Sequence, residues 1–150
     1  MTAHATMLSP QQLIEAAKAP LLAYGRKDWD AVKASITPDF VYDEVATSRK
    51  VKGVDEVLAV WRGWATAFPD SKATIHSTLV SGNTVVLELT WKGTHTGPME
   101  MPKGPIAATG KRIEFRSCNV IEINADKEKA KSQRQYFDMG TMLQQLGITN

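Results

Sequence analysis

ATIHSTLVSGNTVVLELTW, residues 73–91, alternates polar and apolar side chains on both sides of Ser81-Gly82-Asn83. A period of two broken by a turn signal marks an antiparallel hairpin with one buried face. In its second half Val85, Leu87, Leu89 and Trp91 share one face, while Glu88, Thr90 and Lys92 take the other. His76 sits with Thr74 and Thr78 on one face of the first strand, which reads as surface or rim.

Working outward toward the C-terminus, residues 93–98 and on to Gly110 are rich in Gly, Pro and Met. An excursion of that length is expected to be a lid or a binding loop. His95 begins it, as turn polarity or as a contact at a pocket mouth. Residues 111–123 form a long strand with Ile113, Phe115, Ser117, Asn119, Ile121 and Ile123 on one face. Residues 124–134 are almost wholly polar and read as a solvated hairpin tip. The chain returns as RQYFDMGTMLQQLG, residues 134–147, a strand running into a short helix with Met139, Met142, Leu143 and Leu146 at helical spacing.

Toward the N-terminus the periodicity is helical. Ser9, Pro10 and Gln12 form a capping box, and Leu8 and Leu13 are spaced as a hydrophobic staple. The helix that follows carries Leu13, Ala17, Leu21 and Tyr24, is kinked or broken at Pro20, and ends at Gly25. Asp28 caps a second helix bearing Trp29, Val32 and Ile36, stopped by Thr37-Pro38. Residues 40–42 read as a short strand leading to Asp43-Glu44. Residues 54–67 make a third helix with Val57, Leu58, Trp61, Trp64 and Phe68 along one stripe, as core or as the lining of a cavity within it. The expected architecture is α+β: a curved antiparallel sheet forming a cone closed by the N-terminal helices.

Bulk properties narrow the function classes. A chain of 150 residues with 43% apolar and 23% charged side chains fits one folded domain, expected over residues 9–150 after a flexible tail, residues 1–8, that contains His4. The net charge of +2 and the absence of a basic run interleaved with aromatics argue against nucleic acid. A single cysteine, Cys118, excludes an intrachain disulfide framework. No segment has the apolar length of a membrane span, and the start lacks a signal-peptide pattern, so a soluble cytoplasmic protein is expected.

No metal-ligand spacing, nucleophile elbow or phosphate-binding glycine loop occurs. Three polar residues stand among apolar neighbours: Asp43 at a strand end, Asn119 on the apolar face of its strand, and Asp138 between Phe137 and the last helix. Asp138 has two readings, a helix N-cap and a general acid/base at a pocket mouth. Such a set fits proton abstraction next to a carbonyl, with an amide or acid steadying the enolate.

KGVDEVLAVWRGWATAFPD (52–70), SGNTVVLELTWKGTHTG (81–97), TGKRIEFRSCNVIEI (109–123) and YFDMGTMLQQLG (136–147), in this order, resemble the SnoaL-like polyketide cyclases and their ester-cyclase relatives. These sit within the nuclear transport factor 2-like superfamily that also holds ketosteroid isomerase. The resemblance implies an α+β cone, a homodimer through the outer sheet face, and a pocket for a hydrophobic small molecule needing no metal or organic cofactor. It places Asp138 at the acid/base of an aldol-type cyclisation, Asp43 at the isomerase base and Asn119 at the oxyanion-hole position. Tyr24, Trp61, Trp64, Phe68, Trp91, His95, Phe115 and Tyr136 would contact the substrate. The histidine that many cyclases carry near the short strand is absent from VYDEV, residues 41–45. A non-catalytic ligand-binding or dimeric scaffold protein on the same fold is the alternative.

Overall fold

The computed structural model describes residues 7–148, so the expected tail, residues 1–8, lies largely outside the described residues. The chain runs through α1 (Pro10–Gly25), α2 (Trp29–Ala34), β1 (Ile36–Glu44), β2 (Arg49–Lys52), α3 (Val54–Ala67), β3 (Lys72–Ser81) and β4 (Thr84–Thr94). It continues with β5 (Met99–Met101), β6 (Gly104–Ile106), β7 (Arg112–Asn124), β8 (Lys129–Phe137) and α4 (Met139–Leu146). Six strands make one curved sheet in the order β2-β1-β8-β7-β4-β3, and β5 and β6 form a separate small hairpin. The class is α+β, and the sheet is mixed rather than wholly antiparallel. β1 and β8 run parallel, with Tyr42 opposite Gln133 and Glu44 opposite Gln135. A parallel pair needs a crossover instead of a turn, and here everything between residues 45 and 128 serves as one.

The 73–91 hairpin forms as read, with Ser81 opposite Thr84 and Ala73 opposite Trp91. A bulge between Ile75 and Ser77 shifts its register. In β7, Ile113, Phe115, Ser117, Asn119, Ile121 and Ile123 are all buried, and the residues between them are not. That alternation turns one face of the sheet toward the helices.

Four expectations need correction. Ile36 begins β1 rather than ending α2, because Ser35 already closes the helix and the residue before Pro38 is held extended. α1 runs as one helix through Pro20 instead of breaking there. β8 starts at Lys129, so the polar tip is only the turn after β7. The excursion after β4 is not an open lid. Met99 is buried against Phe68, Ile113, Phe115 and α4, and the backbone N–H groups of Thr96 and Gly97 both donate to the Ala67 carbonyl. A Cβ at position 97 would collide with the Thr66 carbonyl, so only glycine permits this approach.

The capping box of α1 is complete: Ser9 Oγ accepts from the Gln12 N–H at 3.1 Å and Gln12 Oε1 from the Ser9 N–H at 2.8 Å. The main core lies between the helices and the sheet and includes Leu13, Val32, Phe40, Val57, Leu87 and Ile121. A second cluster of Phe68, Met99, Ile113, Met142 and Leu146 joins the small hairpin and α4 to the end of α3. Each large side chain so buried stabilises the fold by roughly 1.5–3 kcal/mol. Among the described residues no helix is long and apolar enough to cross a membrane.

Candidate functional site

Between α1, the C-terminal half of α3 and the concave sheet face lies a cavity open at one end. Its empty space is about 680 Å³ with the mouth included, of which about 80 Å³ can be occupied by the centres of water-sized molecules. The second figure exceeds the roughly 10–15 Å³ that one water needs, so a compact organic molecule has room. α1 contributes Pro20, Leu21 and Tyr24, and α3 with its C-cap contributes Trp61, Trp64 and Phe68. The sheet supplies Tyr42, Trp91, Ile113, Phe115, Gln133, Gln135 and Phe137, and Ser71 comes from the loop before β3. Helical spacing puts Trp61, Trp64 and Phe68 on one side of α3, and Trp64 stacks on Phe68 with ring centroids 6.2 Å apart.

Behind this wall stands a fully buried carboxylate. Phe40, Tyr42 and Glu44 point inward from β1 while Val41 and Asp43 take the other face. A bare carboxylate in such a place would cost several kcal/mol. Glu44 instead receives four donors. Its Oε2 accepts from Tyr42 Oη at 2.7 Å and Trp64 Nε1 at 2.7 Å, and its Oε1 from Thr47 Oγ1 at 2.6 Å and Arg49 Nη2 at 2.9 Å. Tyr42 and Trp64 belong to the cavity wall, so Glu44 orients two wall residues at once.

The direction of these bonds propagates. Tyr42 has one proton, and the carboxylate is its strongest acceptor. Gln135 lies with its Oε1 2.7 Å from Tyr42 Oη and its Nε2 3.3 Å from Ser117 Oγ. Because the single Tyr42 proton goes to Glu44, the amide is satisfied only when turned over, its NH₂ donating to Tyr42 and its carbonyl toward Ser117. Ser117 in turn contacts Asn119 Oδ1 at 3.3 Å. Burial, the Glu44 charge and the hydrogen bond to it all raise the Tyr42 pKa well above that of a free phenol, with Arg49 opposing.

A second polar cluster lies where α1 ends. Tyr24 Oη and Ser71 Oγ are 3.1 Å apart, and Lys27 Nζ donates to Ser71 Oγ and to the Ser71 carbonyl, each at 3.3 Å. The same ammonium sits 4.2 Å from the Tyr24 ring centroid, a cation–π distance. Burial pushes the Tyr24 pKa up to about 12, partly offset by Ser71. Burial lowers that of Lys27, with Asp70 pulling the other way. Trp91 packs edge-on against Tyr24 at 5.5 Å, and its buried indole N–H has no hydrogen-bond partner among the described residues.

Six of the eight residues expected to contact a substrate line this cavity: Tyr24, Trp61, Trp64, Phe68, Trp91 and Phe115. His95 does not. It is fully buried beside Phe68, and its Nδ1 accepts from the Thr109 N–H at 3.2 Å. Burial lowers its pKa, with the Gly97 backbone pulling the other way. Tyr136 faces outward on β8, 45% exposed.

The three residues expected to carry chemistry are dispersed. Asn119 is buried on the inner face of β7 but is not part of the cavity wall. Asp43 lies on the outer face of β1, opposite Lys50 on β2 and Arg134 on β8. Asp138 is exposed and turned to its own helix, accepting from the Thr141 N–H at 3.0 Å and the Thr141 hydroxyl at 2.6 Å. Those two bonds hold its carboxyl below the usual range. It caps α4, and its carboxylate faces neither Trp64 nor Asn119. The residues that sequence reasoning passed over are Glu44, Gln133, Gln135, Ser71 and Lys27. Glu44 had a signal: a period of two from Phe40 through Tyr42 puts Glu44, not Asp43, on the inner face.

Among the described residues no group of three or more His, Cys, Asp or Glu is arranged to hold a metal ion. The sequence model of the SnoaL-like polyketide cyclases matches residues 15–146. No curated protein matches the chain. Several solved structures share its fold. TsrD from Streptomyces laurentii is 21% identical with a TM-score of 0.79, over 95% of this chain and 100% of that one. An LEH-like epoxide hydrolase of M. tuberculosis is 24% identical with a TM-score of 0.69, over 91% and 90%. A Catenulispora acidiphila protein with a ketosteroid isomerase-like fold, solved with trimethylamine, is 16% identical with a TM-score of 0.74, over 95% and 96%. At these identities the likeness is one of fold.

Proposed function

The chain belongs to the SnoaL-like polyketide cyclase family, and from that premise we propose a small-molecule enzyme that moves a proton on a hydrophobic carbonyl compound inside the cone, without a cofactor. One observation carries the reading. Among the described residues, the titratable side chains in the cavity wall are Tyr24 and Tyr42, and of these two Tyr42 has a carboxylate directly behind it, Glu44 at 2.7 Å. A phenol whose pKa is raised this far does not ionise alone. It can accept a proton only as it passes its own to Glu44.

The step balances. A C–H next to the substrate carbonyl gives its proton to Tyr42 Oη, the Tyr42 proton moves to Glu44 Oε2, and the C–H electron pair becomes the enolate. Return of the proton at another carbon is an isomerisation, and attack of the enolate on a second carbonyl is an aldol closure. Arg49 and Thr47, bound to the other Glu44 oxygen, keep the carboxylate aimed. Ser117 and Asn119 hold Gln135 against Tyr42. Asp138 takes no part in this scheme.

The test is solvent deuterium incorporation next to the carbonyl of a compact apolar ketone such as 2-tetralone, followed by NMR. Wild type is expected to exchange above the buffer rate, Tyr42→Phe at the buffer rate, and Asp138→Asn like wild type. Equal exchange by wild type and Tyr42→Phe overturns the assignment. Absence of exchange with any carbonyl compound that binds returns the protein to the class of ligand-binding scaffolds.

A further inference from the structure

We propose that the Tyr24–Ser71 end of the cavity is an oxygen-acceptor subsite, built to hold a carbonyl or carboxylate oxygen of the ligand, with Lys27 behind it as a positioning residue. The inference rests on the function proposed above and says where the substrate places an acceptor oxygen.

It follows from counting hydrogen-bond protons. Tyr24 and Ser71 have one hydroxyl proton each and share one mutual contact of 3.1 Å. Lys27 donates to Ser71 Oγ, so that oxygen is already an acceptor. If Ser71 donates to Tyr24, the Tyr24 proton is left over. If Tyr24 donates to Ser71, the Ser71 proton is left over. In either arrangement one hydroxyl proton at the cavity wall has no acceptor among the described residues. Trp91, in contact with Tyr24 across the same wall, adds an indole N–H that is also without a partner. Buried donors are normally satisfied, because an unmade bond costs the full desolvation of the group.

The surplus at this end is wholly of donors, so the missing partner is an acceptor. Asp70, the nearest acid in sequence, does not fill the role. Its two oxygens are taken by the Thr94 N–H at 2.7 Å and the Thr94 hydroxyl at 2.8 Å. The Lys27 ammonium adds positive charge behind Ser71, so the subsite favours an oxygen that carries or develops negative charge. The Tyr42 side of the wall differs in kind, because there the phenol proton is already committed to Glu44. A ligand therefore enters with an acceptor oxygen toward Ser71 and Tyr24.

Quenching of tryptophan fluorescence by three bicyclic probes tests this: naphthalene, 2-acetonaphthone and 2-naphthoate. Wild type is expected to bind both oxygenated probes roughly tenfold or more tightly than naphthalene. Ser71→Ala, which keeps its backbone bonds, and Tyr24→Phe should each erase most of that margin while leaving naphthalene unchanged. Lys27→Gln should reduce the preference for the carboxylate over the ketone. If naphthalene binds and oxygen adds nothing, or the margin survives both wall variants, the subsite is refuted while the apolar cavity stands. If none of the three binds, the proposed function falls as well.

Discussion

Replacing Tyr42 by Phe removes one oxygen and leaves the ring against Trp61, 5.4 Å away. No packing volume is lost, so the effect isolates the hydroxyl. Glu44 Oε2 keeps Trp64 and loses its other donor, and Gln135 loses a partner. A hydrogen bond to a buried charge contributes roughly 1.5–3 kcal/mol, and a chain of this size shifts by about 2–4 °C per kcal/mol. The melting temperature should therefore fall by about 3–12 °C. Urea unfolding followed by tryptophan fluorescence would give the free energy directly. Glu44→Gln should cost more, because Arg49, Thr47 and Trp64 lose a charged acceptor together. The two changes should not add, and a coupling of about 1 kcal/mol or more is expected in the double variant. Additivity within about 0.5 kcal/mol, or an unchanged midpoint for Tyr42→Phe, would refute the claim that Glu44 holds this phenol.

Three further outcomes are expected. The folded-state pKa of Tyr24 is raised from 10.0 to about 12, so the folded form holds its proton more tightly. That contribution is complete below pH 10 and is lost as pH climbs toward 12, by roughly 2–3 kcal/mol; Tyr24→Phe should flatten the alkaline fall of urea midpoints, with Tyr42 still acting in the same direction. His95 is depressed by burial, so it contributes stability above its unfolded pKa of about 6.5 that is lost as pH falls through its folded value. His95→Gln should reduce the acid slope of stability in that window. Gly97→Ala should destabilise by roughly 1–3 kcal/mol through its clash with Thr66, measured calorimetrically, without altering the cavity wall.

Much of this architecture was legible because its strands are one-sided. β7 alternates without error, β4 does so until Leu89 and Thr90 are buried in succession, and the stripe on α3 is continuous. Arg49–Lys52, by contrast, reads RKVK at the sheet edge, with Arg49 and Val51 half-buried and Lys50 and Lys52 exposed. A single valine does not announce a strand. The parallel neighbour of β1 lies about 90 residues away in sequence, beyond the reach of any local pattern. The polar parts of the site fared worse than its wall. Asp138 was ambiguous because an N-cap and a pocket acid need the same residue at the same place, and only the Thr141 bonds separate them. Ser71 and Lys27 lie in loops with no periodicity to orient them.

The parallel pairing of β1 with β8 also has a consequence in time. β1 and β2 have no other strand to join, since β8 is what links them to the rest of the sheet. During synthesis the first strand can pack Phe40 and Tyr42 on Trp61 of α3, but it must wait for its parallel neighbour until residues 129–137 have left the ribosome. Such long-range closure is slow and leaves sticky surface exposed meanwhile. The side of the cavity holding Tyr42, Glu44 and Gln135 is thus completed late, and a nascent chain stalled before residue 129 would carry α1 to α3 and the 73–91 hairpin but not the strand that brings Gln133, Gln135 and Phe137 to the cavity.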